Sequence, residues 1–237
     1  MVAMLRPWGK AEAPPVVKTS QGDRISEARA LIRDGRLEDA RTRLREEIKA
    51  DPGSARAYVL LALAQVREAD GPGARSFLSK AAALDPELAE IPLVQGHADM
   101  VSGDRAAARR SYTEALRRRP KDPEALAGRA AARVELGEAA GAVEDASAAL
   151  EADPDIAEAL FARAAAYTAL KRWEEAVRDW TGYLARRPND AQAWTNRGNA
   201  HIRAGRNAAA AADWRMAVKL NPVLDIELGT RIIDAER

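Results

Sequence analysis

Apolar and small side chains recur along this chain in pairs of short helical stripes. In the last pair, Trp194, Gly198 and Ile202 follow one another at intervals of four residues, as on one face of an α-helix. A second stripe with the same spacing contains Ala210 and Trp214. The pattern predicts two amphipathic helices joined by a short turn.

Glycine and proline mark the ends of these predicted helices. Gly205 follows the first stripe, and glycine readily adopts the left-handed conformation that ends many helices. Pro222 follows the second stripe, and because the residue before a proline avoids α geometry, Asn221 is expected to end that helix. Further upstream, the segment Asp70–Gly73 has two glycines and a proline and predicts a wider connection between helices.

The two-helix unit recurs with a period of 34 residues. Three columns share this period and phase: Pro52, Pro86, Pro120, Pro154, Pro188 and Pro222; Ala40, Ala74, Ala108, Ala142, Ala176 and Ala210; and Ala28, Ala62, Gly96, Ala130, Ala164 and Gly198. Small residues are needed where two helices pack closely. The period divides the chain into six units: 21–54, 55–88, 89–122, 123–156, 157–190 and 191–224.

The unit resembles the tetratricopeptide repeat, which runs Trp-x-x-Leu-Gly-x-x-Tyr, then Ala-x-x-x-Phe, then Pro. The sixth unit places in these positions Trp194, Arg197, Gly198, His201, Ala210, Trp214 and Pro222. The fifth unit has Leu160, Arg163, Ala164, Tyr167, Ala176, Trp180 and Pro188. The resemblance implies an all-α, right-handed superhelical solenoid of six helix-turn-helix repeats that serves as a scaffold for protein partners.

The two ends of the chain fall outside the repeats. Residues 1–20 contain three prolines and no helical or strand period, so they are predicted to form an extended arm. Residues 225–237 predict a capping helix over the last repeat, with Ile226, Ile232 and Ile233 as the inward-facing side chains.

Charge and composition exclude several classes of protein. The 237 residues carry 37 Lys and Arg against 36 Asp and Glu, and this balance argues against a dedicated nucleic-acid binder. There is no cysteine and no apolar run long enough to span a membrane. Because Arg6 and Pro7 interrupt the apolar start, no secretory signal is predicted and a cytoplasmic location is expected. A missing upstream signal peptide would instead place the protein in the periplasm.

No pattern of catalytic residues or metal ligands stands out. The two histidines, His97 and His201, have no cysteine or second histidine nearby in the sequence, so no metal site is predicted. No nucleophile and base, paired carboxylates or phosphate-binding glycine loop recurs with the needed spacing. We therefore expect no cofactor and no enzymatic activity. His201 occupies the tyrosine position of the repeat and is predicted to pack inside.

Arginine replaces the usual leucine of the family in the last three repeats, and each arginine has an aspartate 16 residues later. The pairs are Arg129 with Asp145, Arg163 with Asp179, and Arg197 with Asp213. They could form an anion-binding ladder. We favour partly buried ion pairs between the two helices of each repeat, because every arginine comes with its own carboxylate.

A second group of basic residues lies in the third repeat, on the helix predicted to face outward. The group comprises Arg105, Arg109, Arg110, Arg117, Arg118, Arg119 and Lys121. Nucleic-acid binding would require interleaved aromatic side chains, and only Tyr112 is nearby. A solvated outer face is therefore predicted.

The family register places the first helix of each repeat along the inner curve of the solenoid. The predicted partner-binding groove contains Arg29, Arg33, Leu63, Arg67, His97, Met100, Ala131, Phe161, Ala165, Asn199 and Arg203. We expect a bacterial interaction scaffold that binds a peptide or helix there. The alternative is a structural assembly factor of bacterial secretion or pilus biogenesis, acting through self-association or its convex surface.

Overall fold

The computed structural model describes residues 21–236, and the predicted arm at residues 1–20 lies outside this range. The described chain forms α-helices and one short 3-10 turn, Pro222–Leu224, without a strand. The helices are α1 (Gln21–Arg33), α2 (Leu37–Ala50), α3 (Ala55–Arg67), α4 (Gly71–Leu84), α5 (Glu90–Val101), α6 (Arg105–Arg118), α7 (Pro123–Glu135), α8 (Ala139–Ala152), α9 (Ala157–Ala169), α10 (Trp173–Arg186), α11 (Ala191–Arg203), α12 (Asn207–Leu220) and α13 (Asp225–Ala235).

The helices pack in order along the chain. Each odd-numbered helix from α1 to α11 packs against the helix that follows it, and the first helices of neighbouring pairs also touch, as α7 touches α9. Most of the packing is therefore between neighbours in sequence, which is the mark of a solenoid.

Three residues join the two helices of each pair, and one of them adopts a positive φ. In four of the turns this residue is a glycine, for example Gly205 at φ 73°. Ala69 and Lys171 take this conformation in the other two turns. The predicted wider connection before α4 is wrong, because Asp70 caps α4 by accepting a hydrogen bond from the amide of Gly73 at 2.8 Å. Gly71, Pro72 and Gly73 thus form the first turn of α4, and the connection before them has three residues like the others.

The recurring alanines are buried where paired helices meet. Ala40, Ala74, Ala108, Ala142, Ala176 and Ala210 all have 0% exposure. Gly198 shows why its column holds only small residues, since a β-carbon there would lie 2.6 Å from the indole of Trp214. Close approach of the helices therefore fixes the size of these side chains.

The capping helix is present, but two of its predicted inward residues are wrong. Ile226 is 91% exposed and Ile233 is 54% exposed, whereas Leu228 is fully buried. Ile232 packs against the terminal core, as predicted. The inward stripe runs from Leu228 to Ile232 at an interval of four residues, and Ile226 and Ile233 lie on the other side of the helix.

Candidate functional site

The predicted arginine–aspartate pairs form a structural ladder between the helices of the last three pairs. Arg163 donates from Nε and Nη2 to the two carboxylate oxygens of Asp179 at 2.6 and 2.9 Å. The same two-bond geometry joins Arg129 to Asp145 and Arg197 to Asp213. The aspartate side chains are at most 7% exposed. The interpretation as interhelical ion pairs is therefore confirmed.

A cavity of about 740 Å³ opens on the side of the first helices, between α3, α5, α7 and the start of α9. We call it the groove pocket. Five of the residues predicted from the family register line it together: Leu63, Arg67, His97, Met100 and Ala131. Val66 and Ile156 extend its apolar surface.

Tyr112 reaches the groove pocket from the opposite side of the solenoid. It belongs to α6, and its ring lies so close to Gly96 and Gly128 that a β-carbon on either would stand 2.5 to 2.6 Å from a ring carbon. Its hydroxyl lies 2.8 Å from Nδ1 of His97. The two glycines thus open a passage that lets a second-helix side chain present a polar group in the groove.

His97 connects this hydroxyl to a carboxylate. Burial raises the pKa of Tyr112 above its usual range, so the phenol stays protonated and can donate to Nδ1 of His97. On the other side of the ring, Nε2 faces Oε1 of Glu124 at 3.5 Å. The hydrogen bond from His97 lowers the pKa of Glu124. The three side chains form a connected polar strip in the pocket.

Charges of both signs surround the groove pocket. Arg67 lines it, and its charge and that of Arg29 also lower the pKa of Glu124. Asp153 and Glu158 line the pocket beside Glu124. These three carboxylates were missed from the sequence because none holds a mid-helix position that the family register assigns to the groove. Glu124 and Glu158 lie in the first turns of α7 and α9, and Asp153 caps the end of α8.

Four predicted groove residues do not line the pocket: Arg29, Arg33, Phe161 and Ala165. Arg29 is exposed. Phe161 packs edge to face against Trp180 with ring centroids 5.0 Å apart, and Ala165 belongs to the same hydrophobic cluster. Arg33 is largely exposed and lies 3.6 Å from Asp34.

The remaining two, Asn199 and Arg203, line a separate cavity of about 590 Å³ near α13. Oδ1 of Asn199 accepts hydrogen bonds from Arg231 at 2.7 Å and from the indole of Trp214 at 3.2 Å. The guanidinium of Arg231 also lies 4.4 Å from the centre of the Trp214 ring. The capping helix therefore occupies one side of Asn199.

The histidine in the tyrosine position behaves as a packing residue. His201 is half-buried, with Nε2 at 3.8 Å from Asp213. Burial lowers the pKa of His201, which keeps the ring neutral near pH 7. Within residues 21–236 no group of three or more His, Cys, Asp or Glu side chains is arranged to hold a metal ion.

Comparison with known proteins places the repeats in a family. The profile described as Tetratricopeptide repeat matches residues 25–89, 93–155, 129–181 and 172–223. The chain belongs to the tetratricopeptide repeat family. No curated protein matches it by sequence. No helix in the described part of this tetratricopeptide repeat protein is long and apolar enough to cross a membrane.

Solved structures share the fold at low sequence identity. The Cut9–Hcn1 hetero-tetramer of the APC/C matches with a TM-score of 0.81 and 17% identity over 92% of this chain. The match covers 43% of that chain, so the present chain spans less than half of its length. PilF of Pseudomonas aeruginosa matches with a TM-score of 0.71 and 18% identity, over 85% of this chain and 92% of that one. The type IV pilus biogenesis factor PilW has the same TM-score and identity, over 89% and 97%. These likenesses establish an all-α tetratricopeptide solenoid.

Proposed function

We propose that the protein is an interaction scaffold that binds a peptide or helix of a partner protein along the side formed by its first helices. The observation that carries this proposal is the groove pocket, which combines apolar residues such as Leu63 and Met100 with the polar strip of Tyr112, His97 and Glu124. Apolar pockets with a few convergent polar groups are the usual form of binding sites. No catalytic role is proposed.

The charged residues of the pocket indicate which kind of partner segment it would bind. Three carboxylates, Glu124, Asp153 and Glu158, line the pocket with the apolar residues, and Arg67 supplies a positive charge. A segment with one large apolar side chain followed by Lys or Arg would bury the anchor and place its cations near the carboxylates. Acidic residues before the anchor would lie toward Arg67 and Arg29.

The proposal can be tested by selection from a displayed peptide library. The wild-type protein is expected to select peptides with an apolar anchor followed by basic residues. In the variant Ala131→Glu, a longer charged side chain enters the pocket, and affinity should fall at least about tenfold. Ala185 is exposed on α10 and provides the matched control, Ala185→Glu, which should bind as the wild type does.

Charge reversal provides the second arm of the test. Glu158→Lys should weaken binding of the selected peptides. A higher NaCl concentration should weaken their binding to the wild-type protein. Circular dichroism must show equal helicity for all variants. Equal loss of binding in Ala131→Glu and Ala185→Glu, or no selection at all, would overturn the proposal.

A second candidate is an assembly factor that acts by self-association, and an exposed apolar stripe on the last turns favours it. Val223, Ile226 and Ile233 are 72%, 91% and 54% exposed. Light scattering during gel filtration tests this directly, because Ile226→Glu with Ile233→Glu should convert a dimer into a monomer. A wild-type monomer at all concentrations would exclude it.

The location of the protein is still a prediction from the sequence: the cytoplasm or, with an upstream signal peptide, the periplasm.

A further inference from the structure

A third cavity, of about 570 Å³, lies beside α6 and is lined by an unusual number of arginines. The five are Arg109, Arg110, Arg117, Arg129 and Arg133. We call it the arginine pocket. It takes in part of the basic cluster that the sequence analysis interpreted as a solvated outer face. It shares no residue with the groove pocket.

Two of the nearby carboxylates are already engaged by arginines. Glu114 accepts two hydrogen bonds from Arg117 at 2.8 Å and one from Arg118 at 2.9 Å. These two guanidinium groups lower the pKa of Glu114 to about 2. Glu138 forms ion pairs with Arg109 and, at 3.7 Å, with Nε of Arg133. Each of the two carboxylates is thus shared by two arginines.

The third carboxylate, Asp145, is shared by two arginines. It accepts two hydrogen bonds from Arg129 and a third, at 2.8 Å, from Nη1 of Arg133. Nε of Arg133 is buried without a hydrogen-bond partner. Arg110 is exposed and forms no ion pair with the described residues. Six arginines in and beside the pocket thus face three carboxylates, which leaves an excess of positive charge.

This charge is not a general consequence of the repeat. The positions 34 residues further along the chain are occupied by Val143, Glu144, Ala148, Glu151 and Tyr167 in place of Arg109, Arg110, Glu114, Arg117 and Arg133. Only Arg129 has a counterpart there, Arg163, as a member of the structural ladder. The other four arginine positions therefore hold no arginine in the next repeat, and the full set of five occurs in this repeat pair.

We infer that the arginine pocket binds a phosphate group, as a free ion or as a phosphate monoester. Guanidinium groups match the geometry of phosphate oxygens and donate to them in pairs. The exposed guanidinium groups of Arg110 and Arg117 supply donors at the cavity. No aromatic ring lines it, so bases of a nucleic acid would have nothing to stack on. This site is independent of the groove and of the proposed function.

The inference is tested by titrating inorganic phosphate, O-phosphoserine and glutamate against the full chain at constant ionic strength. The side-chain Nε–H signals of the arginines in 15N spectra report the contact directly. Phosphate or phosphoserine should shift the signals of Arg110, Arg117 and Arg133 in a saturable manner. Tighter binding of phosphoserine than of phosphate identifies a monoester as the ligand, and equal binding identifies the free ion.

Two variants and a matched control decide the result. Arg110→Gln and Arg117→Gln should each raise the dissociation constant at least about fivefold, because each removes a charged donor. Arg178 occupies the repeat position of Arg110 on α10 and is also exposed, so Arg178→Gln should leave binding unchanged. Equal weakening by Arg178→Gln, unaltered binding in the two pocket variants, or glutamate binding as tightly as phosphate would overturn the inference.

Discussion

The ladder pair of Arg163 and Asp179 provides a prediction whose size follows from the structure. Removal of either partner leaves a charge that the helices partly exclude from water. The side chain of Asp179 is 6% exposed and that of Arg163 is 22% exposed. Arg163 also keeps a second partner, since Nη1 donates to Ser147 at 3.2 Å. The two single substitutions should therefore differ in cost.

The magnitudes can be estimated from these exposures. Arg163→Leu leaves the more deeply buried carboxylate without its partner and should lower the free energy of unfolding by about 3 kcal/mol. Asp179→Ala leaves a guanidinium that can reach water and should cost about 2 kcal/mol. The double variant leaves no unpaired charge and should cost about 2 kcal/mol, so the expected coupling between Arg163 and Asp179 is about 3 kcal/mol.

Urea unfolding followed by tryptophan fluorescence and circular dichroism measures this double-mutant cycle. Coincident transitions are required, because repeat arrays do not always unfold in one step. The exposed pair Arg172 and Glu175 is a matched control, and its cycle should show a far smaller coupling. A coupling below about 1 kcal/mol for Arg163 and Asp179 would refute the reasoning, because that value is typical of exposed pairs.

Three further predictions follow from the packing. Gly128→Ala should lower the free energy of unfolding by about 2 kcal/mol, because the new β-carbon would overlap the ring of Tyr112. Gly182→Ala should raise it by up to about 1 kcal/mol, because its β-carbon would lie at an ordinary 3.4 Å from Leu160. Urea unfolding compares the two variants. Burial raises the pKa of Tyr112, so its contribution to stability is complete below pH about 10 and is lost as the pH rises further. Tyr112→Phe should make the loss of stability smaller when unfolding is measured from pH 8 to 12. Leu228→Ala should lower stability by about 3 kcal/mol, and Ile226→Ala by less than about 0.5 kcal/mol, in thermal unfolding.

The repeat made most of the fold predictable from the sequence. Three columns with one period place the helices, and the turn at Gly205 and the end of α12 before Pro222 are both confirmed. Each helix pair buries its small residues against its own neighbours, so local sequence carries the needed information. The capping helix has no such repeat to fix its rotation. Its inward residue Leu228 was missed, because docking against α12 decides which face is buried.

The groove was predictable only in part, for two physical reasons. Mid-helix residues such as His97 and Met100 follow the family register and line one pocket. The register gave no sign that Tyr112 crosses from α6 between Gly96 and Gly128, because that depends on how closely α5 and α7 approach. It also gave no sign that Arg231 would bind Asn199. Asn199 lies on α11 of the sixth repeat, whereas Arg231 lies on the capping helix α13, which is outside the repeats.

The central claim, that a partner binds in the groove pocket, is tested most directly by site-specific photo-crosslinking. A photoreactive amino acid is placed at position 131 in the pocket or at position 185 on the exposed face of α10, and the crosslinked peptides are sequenced. We predict that position 131 captures a single segment with an apolar residue followed by Lys or Arg, and that position 185 captures no such segment. Capture of the same partner segment from position 185 but not from position 131 would contradict the claim.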